Sequence, residues 1–120
     1  MSPRRRIDPH AGRAALAAAA AGGDDRRELA TAVRYGLEEL AHRHPGGSIE
    51  VRVPPYGVTQ LGLGPRHTRG TPPNVVEMAP AIFVQLAVGQ LTWGQALATG
   101  VVSASGTRAD LAAYLPLEQT

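Results

Sequence analysis

The hydrophobic period of this chain changes sharply at a place where the backbone has to turn. Leu29, Val33, Leu37 and Leu40 recur at spacings of four, four and three residues, one stripe on a helical repeat. Pro45-Gly46-Gly47 ends that pattern. Ile49, Val51 and Val53 then alternate with Glu50 and Arg52, the two-residue period of a strand with one wet face. A helix with a single apolar stripe and a strand with a single apolar face both need a cover. Laying one on the other supplies it, so the chain reads as α+β.

The flanking segments extend this frame. Asp25 followed by Glu28 approximates a capping box for the striped helix, and His42, Arg43 and His44 suit the negative end of its dipole. Upstream, Asp8 as N-cap and Pro9 in the first turn predict a helix over 9–21, closed by Gly22-Gly23, with Leu16 its only large apolar anchor. Residues 1–7 read as a disordered basic arm, and 8–120 as a single domain. After the first strand, Pro54-Pro55-Tyr56-Gly57 turns the chain into a returning strand over 58–63. A loop over 64–73 follows, then a short strand over 74–78.

Pro80 opens a helix that carries Ile82, Phe83 and Leu86 and ends at Gly89. Thr92 with Gln95 forms a capping box for another, bearing Trp93 and Leu97 and closed by Gly100. Residues 101–105 read as the last strand. Thr107 is expected to cap a final turn of helix with Leu111, Tyr114 and Leu115, stopped by Pro116. The order α-α-β-β-β-α-α-β-α implies a small, mostly antiparallel sheet with helices packed on one face.

Composition removes several functional classes. With 120 residues the chain can build one apolar core. Only 4% of residues are aromatic, so that core rests on Leu, Val and Ile with Trp93 and Phe83. There is no cysteine, which excludes disulfides, thiolate metal sites and a cysteine nucleophile. The formal charge is +2, and Arg4, Arg5 and Arg6 alone exceed it. The basic character therefore belongs to a short tail rather than to a face, and no nucleic-acid partner is expected. Asp8, His10 and Arg13 interrupt the Arg4–Arg6 and Ala14–Ala21 stretches, so they do not read as an export signal. No run approaches the roughly 20 apolar residues of a membrane helix, so no transmembrane segment is expected and the location reads as cytoplasmic.

The chemistry-bearing residues do not assemble into a catalytic motif. His42 and His44 are two apart on a helix and point roughly 200° from each other, so they cannot share an ion. His10 and His67 stand apart from them, and no metal site is expected. Ser103 and Ser105 lie in a strand without a nucleophile motif, and Gly62-x-Gly64 lacks the third glycine of a dinucleotide loop. No catalytic residue, no cofactor and no enzymatic activity are therefore expected.

Two groups can be read in more than one way. In the polar loop ahead of Asn74, Arg66, His67 and Arg69 are candidate contacts for an anionic head group or carboxylate. Alternatively they pair with Glu50, Glu77 or backbone carbonyls. Ile82, Phe83, Leu86, Leu91, Trp93, Leu97, Leu111 and Leu115 can line an apolar pocket between the late helices and the sheet. Spacing alone fits an ordinary core equally well, since periodicity does not distinguish a filled interior from a lined cavity.

The last third carries a resemblance. Asn74-Val75-Val76-Glu77-Met78, a helix, Gly89-Gln90-Leu91-Thr92-Trp93-Gly94, and Gly100-Val101-Val102-Ser103-Ala104-Ser105-Gly106 ahead of Leu111 resemble the sterol-carrier-like fold. That fold shows a strand, a helix ending in Gly-x-Leu, a short helix, Gly-x-(Val/Ile)-x-x-x-Gly and a closing helix. Arg4-Arg5-Arg6-Ile7-Asp8-Pro9, Leu29-Ala30-Thr31-Ala32-Val33-Arg34-Tyr35, Val51-Arg52-Val53-Pro54-Pro55-Tyr56-Gly57 and the stretch from Gly64 to Glu77 are similar to its small stand-alone actinobacterial branch, the bacterial sterol carrier protein orthologue domain. The resemblance implies a 4–5-stranded sheet with helices on one face and an internal apolar cavity for a lipid or other apolar small molecule. The implied lining is Val51, Leu61, Ile82, Phe83, Leu86, Leu91, Trp93, Leu97, Leu111 and Leu115. It implies a non-catalytic binder. The alternative is an accessory module that keeps the fold without a tunnel and meets a protein partner.

Overall fold

The structure, a computed structural model, describes residues 6–65 and 73–118. The first helix, α1 (Pro9–Ala20), starts where Asp8 accepts a hydrogen bond from the Ala11 amide at 3.0 Å, with Pro9 as first residue. It ends in a Schellman motif: Gly23 N–H donates to the Ala18 carbonyl and Gly22 N–H to that of Ala19. Gly22 takes the positive φ that this ending requires. Of the arm expected over 1–7, residues 1–5 lie outside the described residues. Arg6 and Ile7 donate their backbone N–H groups to the Glu38 carboxylate at 3.0–3.1 Å.

The second helix, α2 (Arg26–Arg43), is capped by Asp25, whose carboxylate accepts from the Arg27 and Glu28 amides. Val33, Leu37 and Leu40 of the expected stripe are buried and Leu29 is half-buried. Burial extends beyond the stripe to Ala32, Tyr35 and Gly36. The reason is position. α2 packs on the sheet, α1 lies across it, and α3 (Pro80–Ala87) runs beside it, so three neighbours share its surface.

Four strands form the sheet: β1 (Ile49–Val53), β2 (Gly57–Leu61), β3 (Val75–Met78) and β4 (Val102–Ser105), in the order β2-β1-β3-β4. β1 and β2 form an antiparallel hairpin and β3 and β4 an antiparallel pair, while β1 and β3 run parallel. The sheet is thus mostly antiparallel, as expected, and mixed at its centre. β3 starts beside the start of β1, with Val75 opposite Glu50, and follows its direction.

Ile49, Val51, Val53, Leu61, Val76 and Met78 face the helices and are buried. Glu50, Arg52 and Glu77 take the opposite face, where Arg52 pairs with Glu50 at 2.6 Å. Packed against α2 and α1, α3 buries Phe83, Val84, Leu86 and Ala87. Side chains of this size contribute about 1.5–3 kcal/mol each when fully buried. The short α4 (Trp93–Thr99) has both halves of its capping box, since Thr92 Oγ1 accepts from Gln95 N and Gln95 Oε1 from Thr92 N. Gly100 closes it in the left-handed region.

The final helix expected after Thr107 does not form. Residues 106–118 make successive turns instead. Asp110 accepts a hydrogen bond from the Ala112 amide at 2.8 Å, an Asx turn that takes a donor from any helix. Among the described residues no helix is long and apolar enough to cross a membrane.

Candidate functional site

The end of α3 and the start of α4 are joined by a tight turn. Gly89 adopts a positive φ and Leu91 N–H donates back to the Gln85 carbonyl. This turn leaves the side chains of Leu86, Leu91 and Trp93 around one hollow. Its other wall comes from the C-terminal turns, through Ala112, Leu115 and Pro116. That wall is clamped at two points. The Leu117 and Glu118 amides both donate to the Ala87 carbonyl, at 2.8 and 2.9 Å, and Arg43 Nη1 donates to the Leu117 carbonyl at 3.1 Å. Arg43 in turn faces the buried Glu39 at 3.6 Å.

The resulting pocket has a volume of about 360 Å³ and is completed by Gly89, Thr92 and Gly94. Among the described residues no ionisable side chain lines it. Trp93 is only 6% exposed, and its indole Nε1 is buried without a hydrogen-bond partner. A buried N–H left unpaired costs roughly 1–3 kcal/mol. The pocket's other polar side chain, Thr92, already serves as the α4 cap.

The residues expected to line a cavity separate into three groups. Leu86, Leu91, Trp93 and Leu115 line this pocket together. Val51, Leu61, Phe83 and Leu111 lie below it in the filled core, each fully buried, and Ile82 packs half-buried against that core. Leu97 stands apart, 48% exposed on the outer face of α4. Arg66, His67 and Arg69, the candidate head-group contacts, lie outside the described residues. The pocket residues that sequence reasoning missed are Gly89, Thr92, Gly94, Ala112 and Pro116. Their signal was the turn chemistry itself, because glycines and a proline bound a hollow without carrying any apolar period.

A second depression of about 390 Å³ lies on the outer sheet face, among Glu50, Arg52, Pro54, Val58 and Glu77. Its Arg52 and Glu50 already satisfy each other. Among the described residues no group of three His, Asp or Glu side chains could hold a metal ion. His44 packs its ring against Tyr114, with centroids 4.7 Å apart.

The family model described as bacterial SCP ortholog matches residues 25–117. The chain belongs to that family. No curated protein matches it. The SCP match spans α2 to the C-terminal wall of the pocket, so every pocket residue lies within it, and α1 lies before it. In this SCP-type chain, α1 nonetheless belongs to the fold: Ala15 and Leu16 are buried, and Gln90 donates to the Ala20 carbonyl at 3.0 Å. That last bond ties α1 to the turn that shapes the pocket.

Proposed function

We propose that this chain is a cytoplasmic, non-catalytic binder of a lipid or other apolar small molecule, and that the hollow between Leu86, Leu91, Trp93 and Leu115 receives it. The observation that carries this reading is an uncharged, largely apolar pocket within the region matched to the SCP family. A volume of about 360 Å³ sits near the small end of ligand pockets. It suits part of an acyl chain or a compact apolar metabolite better than a rigid polycycle. Each methylene buried there contributes about 0.8 kcal/mol. Arg66, His67 and Arg69 belong to this proposal as head-group contacts.

Native mass spectrometry of the gently purified protein, with titration of a fluorescent acyl probe, tests the reading. Co-purified lipid or displaceable probe supports it. Absence of both ends it.

A second reading has its own observation. Leu97 and Val101 are exposed beside β4, a strand paired on one side only. An apolar patch next to an open strand edge is a protein-interaction feature. Pull-down with wild-type protein but not with Leu97→Asp would favour it.

A further inference from the structure

We propose that the molecule bound in this pocket carries an uncharged hydrogen-bond acceptor, an ester, alcohol or ketone oxygen, that takes up the indole N–H of Trp93. This inference rests on the pocket reading above and names the ligand class. Among the described residues, the buried side-chain polar atoms left without a partner are the Tyr35 hydroxyl and Trp93 Nε1. Of the two residues, Trp93 lines the pocket.

The lining decides the charge of the acceptor. Leu86, Leu91, Ala112, Leu115 and Pro116 offer nothing to balance a carboxylate or phosphate. An ionised head group drawn into such a site would lose its hydration without gaining a counter-charge. A plain hydrocarbon would leave the indole donor unmatched. A neutral oxygen costs far less to desolvate than an ion and offsets that cost by satisfying the buried donor.

In the empty pocket Nε1 is sealed from solvent, so the acceptor reaches it when the ring turns. α4 buries Trp93 and Ala96 alone, and the turn of the ring is part of the proposal, tested with it by the emission of Trp93.

The chain has a single tryptophan, so its fluorescence reports on this ring without interference. Titrate octanol, methyl octanoate, octanoate and octane, following Trp emission and, in parallel, binding by calorimetry. By calorimetry, octanol and methyl octanoate are expected to bind the wild type about tenfold tighter than they bind Trp93→Phe, the scale of one hydrogen bond, with octane alike on both proteins and octanoate the weakest of the four at neutral pH. Octanol and methyl octanoate are also expected to shift the emission. Leu115→Ala should weaken all four about equally and preserve their order, and circular dichroism checks that both variants fold.

Octanoate binding as tightly as its methyl ester overturns the inference. So does an octanol affinity unchanged by Trp93→Phe, or by Trp93→Leu should the phenylalanine variant not fold. Equal binding of all four probes defeats this inference and leaves the pocket reading standing, whereas no binding of any probe removes both.

Discussion

Gly12 of α1 lies directly against the ring of Tyr35 of α2, so close that a methyl group added at Gly12 would overlap the ring's Cγ and Cδ1. The missing side chain is what lets two helices with few large residues between them approach closely. α1 has one large anchor, Leu16, and its remaining contact comes from alanines and this glycine. Close backbone approach replaces side-chain bulk.

Gly12→Ala sets two effects against each other. Alanine raises helix propensity by about 1 kcal/mol over glycine. Overpacking against the near end of a buried ring costs about 1–3 kcal/mol. The ring cannot swing away, because Tyr35 is 1% exposed. A net loss of about 1–2 kcal/mol is expected from urea unfolding. Gly94→Ala is the matched control, since nothing lies within 4 Å of the new methyl. It should gain about 0.5–1 kcal/mol, the propensity difference alone.

The hydroxyl of the same tyrosine sets an alkaline limit. Burial pushes the Tyr35 phenol above its ordinary value of 10.0, and the Glu39 and Glu118 carboxylates raise it further. The Arg13 guanidinium tempers the shift, although the hydroxyl makes no hydrogen bond of good geometry. Between the unfolded and folded values the native state holds a proton that the unfolded chain has lost. Stability therefore falls as pH rises above about 10. Tyr35→Phe should flatten that part of the stability–pH curve, measured by urea midpoints. It should cost little at neutral pH, because it removes an unpaired buried polar group.

Asn74 holds three elements together. Its Nδ2 donates to the Ser48 carbonyl at 2.8 Å, its Oδ1 accepts from Arg108 N at 2.9 Å, and its own carbonyl accepts from Glu50 N. The side chain thus joins the start of β1 to the turns after β4 in a position that is 6% exposed. Asn74→Ala strands one carbonyl and one amide, so a loss of about 2–3 kcal/mol is expected. Asn74→Asp keeps the acceptor but turns a lone pair toward Ser48. Its loss should shrink below about pH 4, where the acid can donate. Thermal unfolding across pH 3–7, a window of about four units around the ordinary carboxyl value, checks both.

The sequence carried the elements but not their final arrangement, for physical reasons. Period and capping are local, so α1, α2 and the capping box at Thr92 were legible from side-chain identities alone. The stripe of α2 was read as one face. Its burial beyond that stripe depended on α1 and α3 arriving from elsewhere in the chain. Strand direction depended on where β3 joined the sheet beside β1, which no local pattern encodes. Thr107 suggested a helix, but Asp110 claimed the Ala112 amide first. Of the candidate site, Leu86, Leu91, Trp93 and Leu115 were legible as apolar positions, whereas the turn residues that give the pocket its shape were not. Arg34 and Glu38 stand at ion-pair spacing, yet each is bonded elsewhere, Arg34 to the Tyr56 carbonyl and Glu38 to the chain at Arg6 and Ile7.

Leu97 tests how far period can mislead. It follows Trp93 by one helical turn and reads as core on the same stripe. In the fold Ala96 is buried in its place and Leu97 is 48% exposed. α4 spans two turns at the rim of the sheet, where the core ends. Leu97→Ser should therefore change stability by less than about 0.5 kcal/mol. Phe83→Ala, at a position with no exposed surface, should cost about 3–5 kcal/mol. Parallel urea titrations of the two variants separate these outcomes. A loss above about 2 kcal/mol for Leu97→Ser would mean that another surface covers α4 in solution. Repeating that titration across a range of protein concentrations would then show whether the cover is a second copy of the chain, since a midpoint that rises with concentration marks self-association.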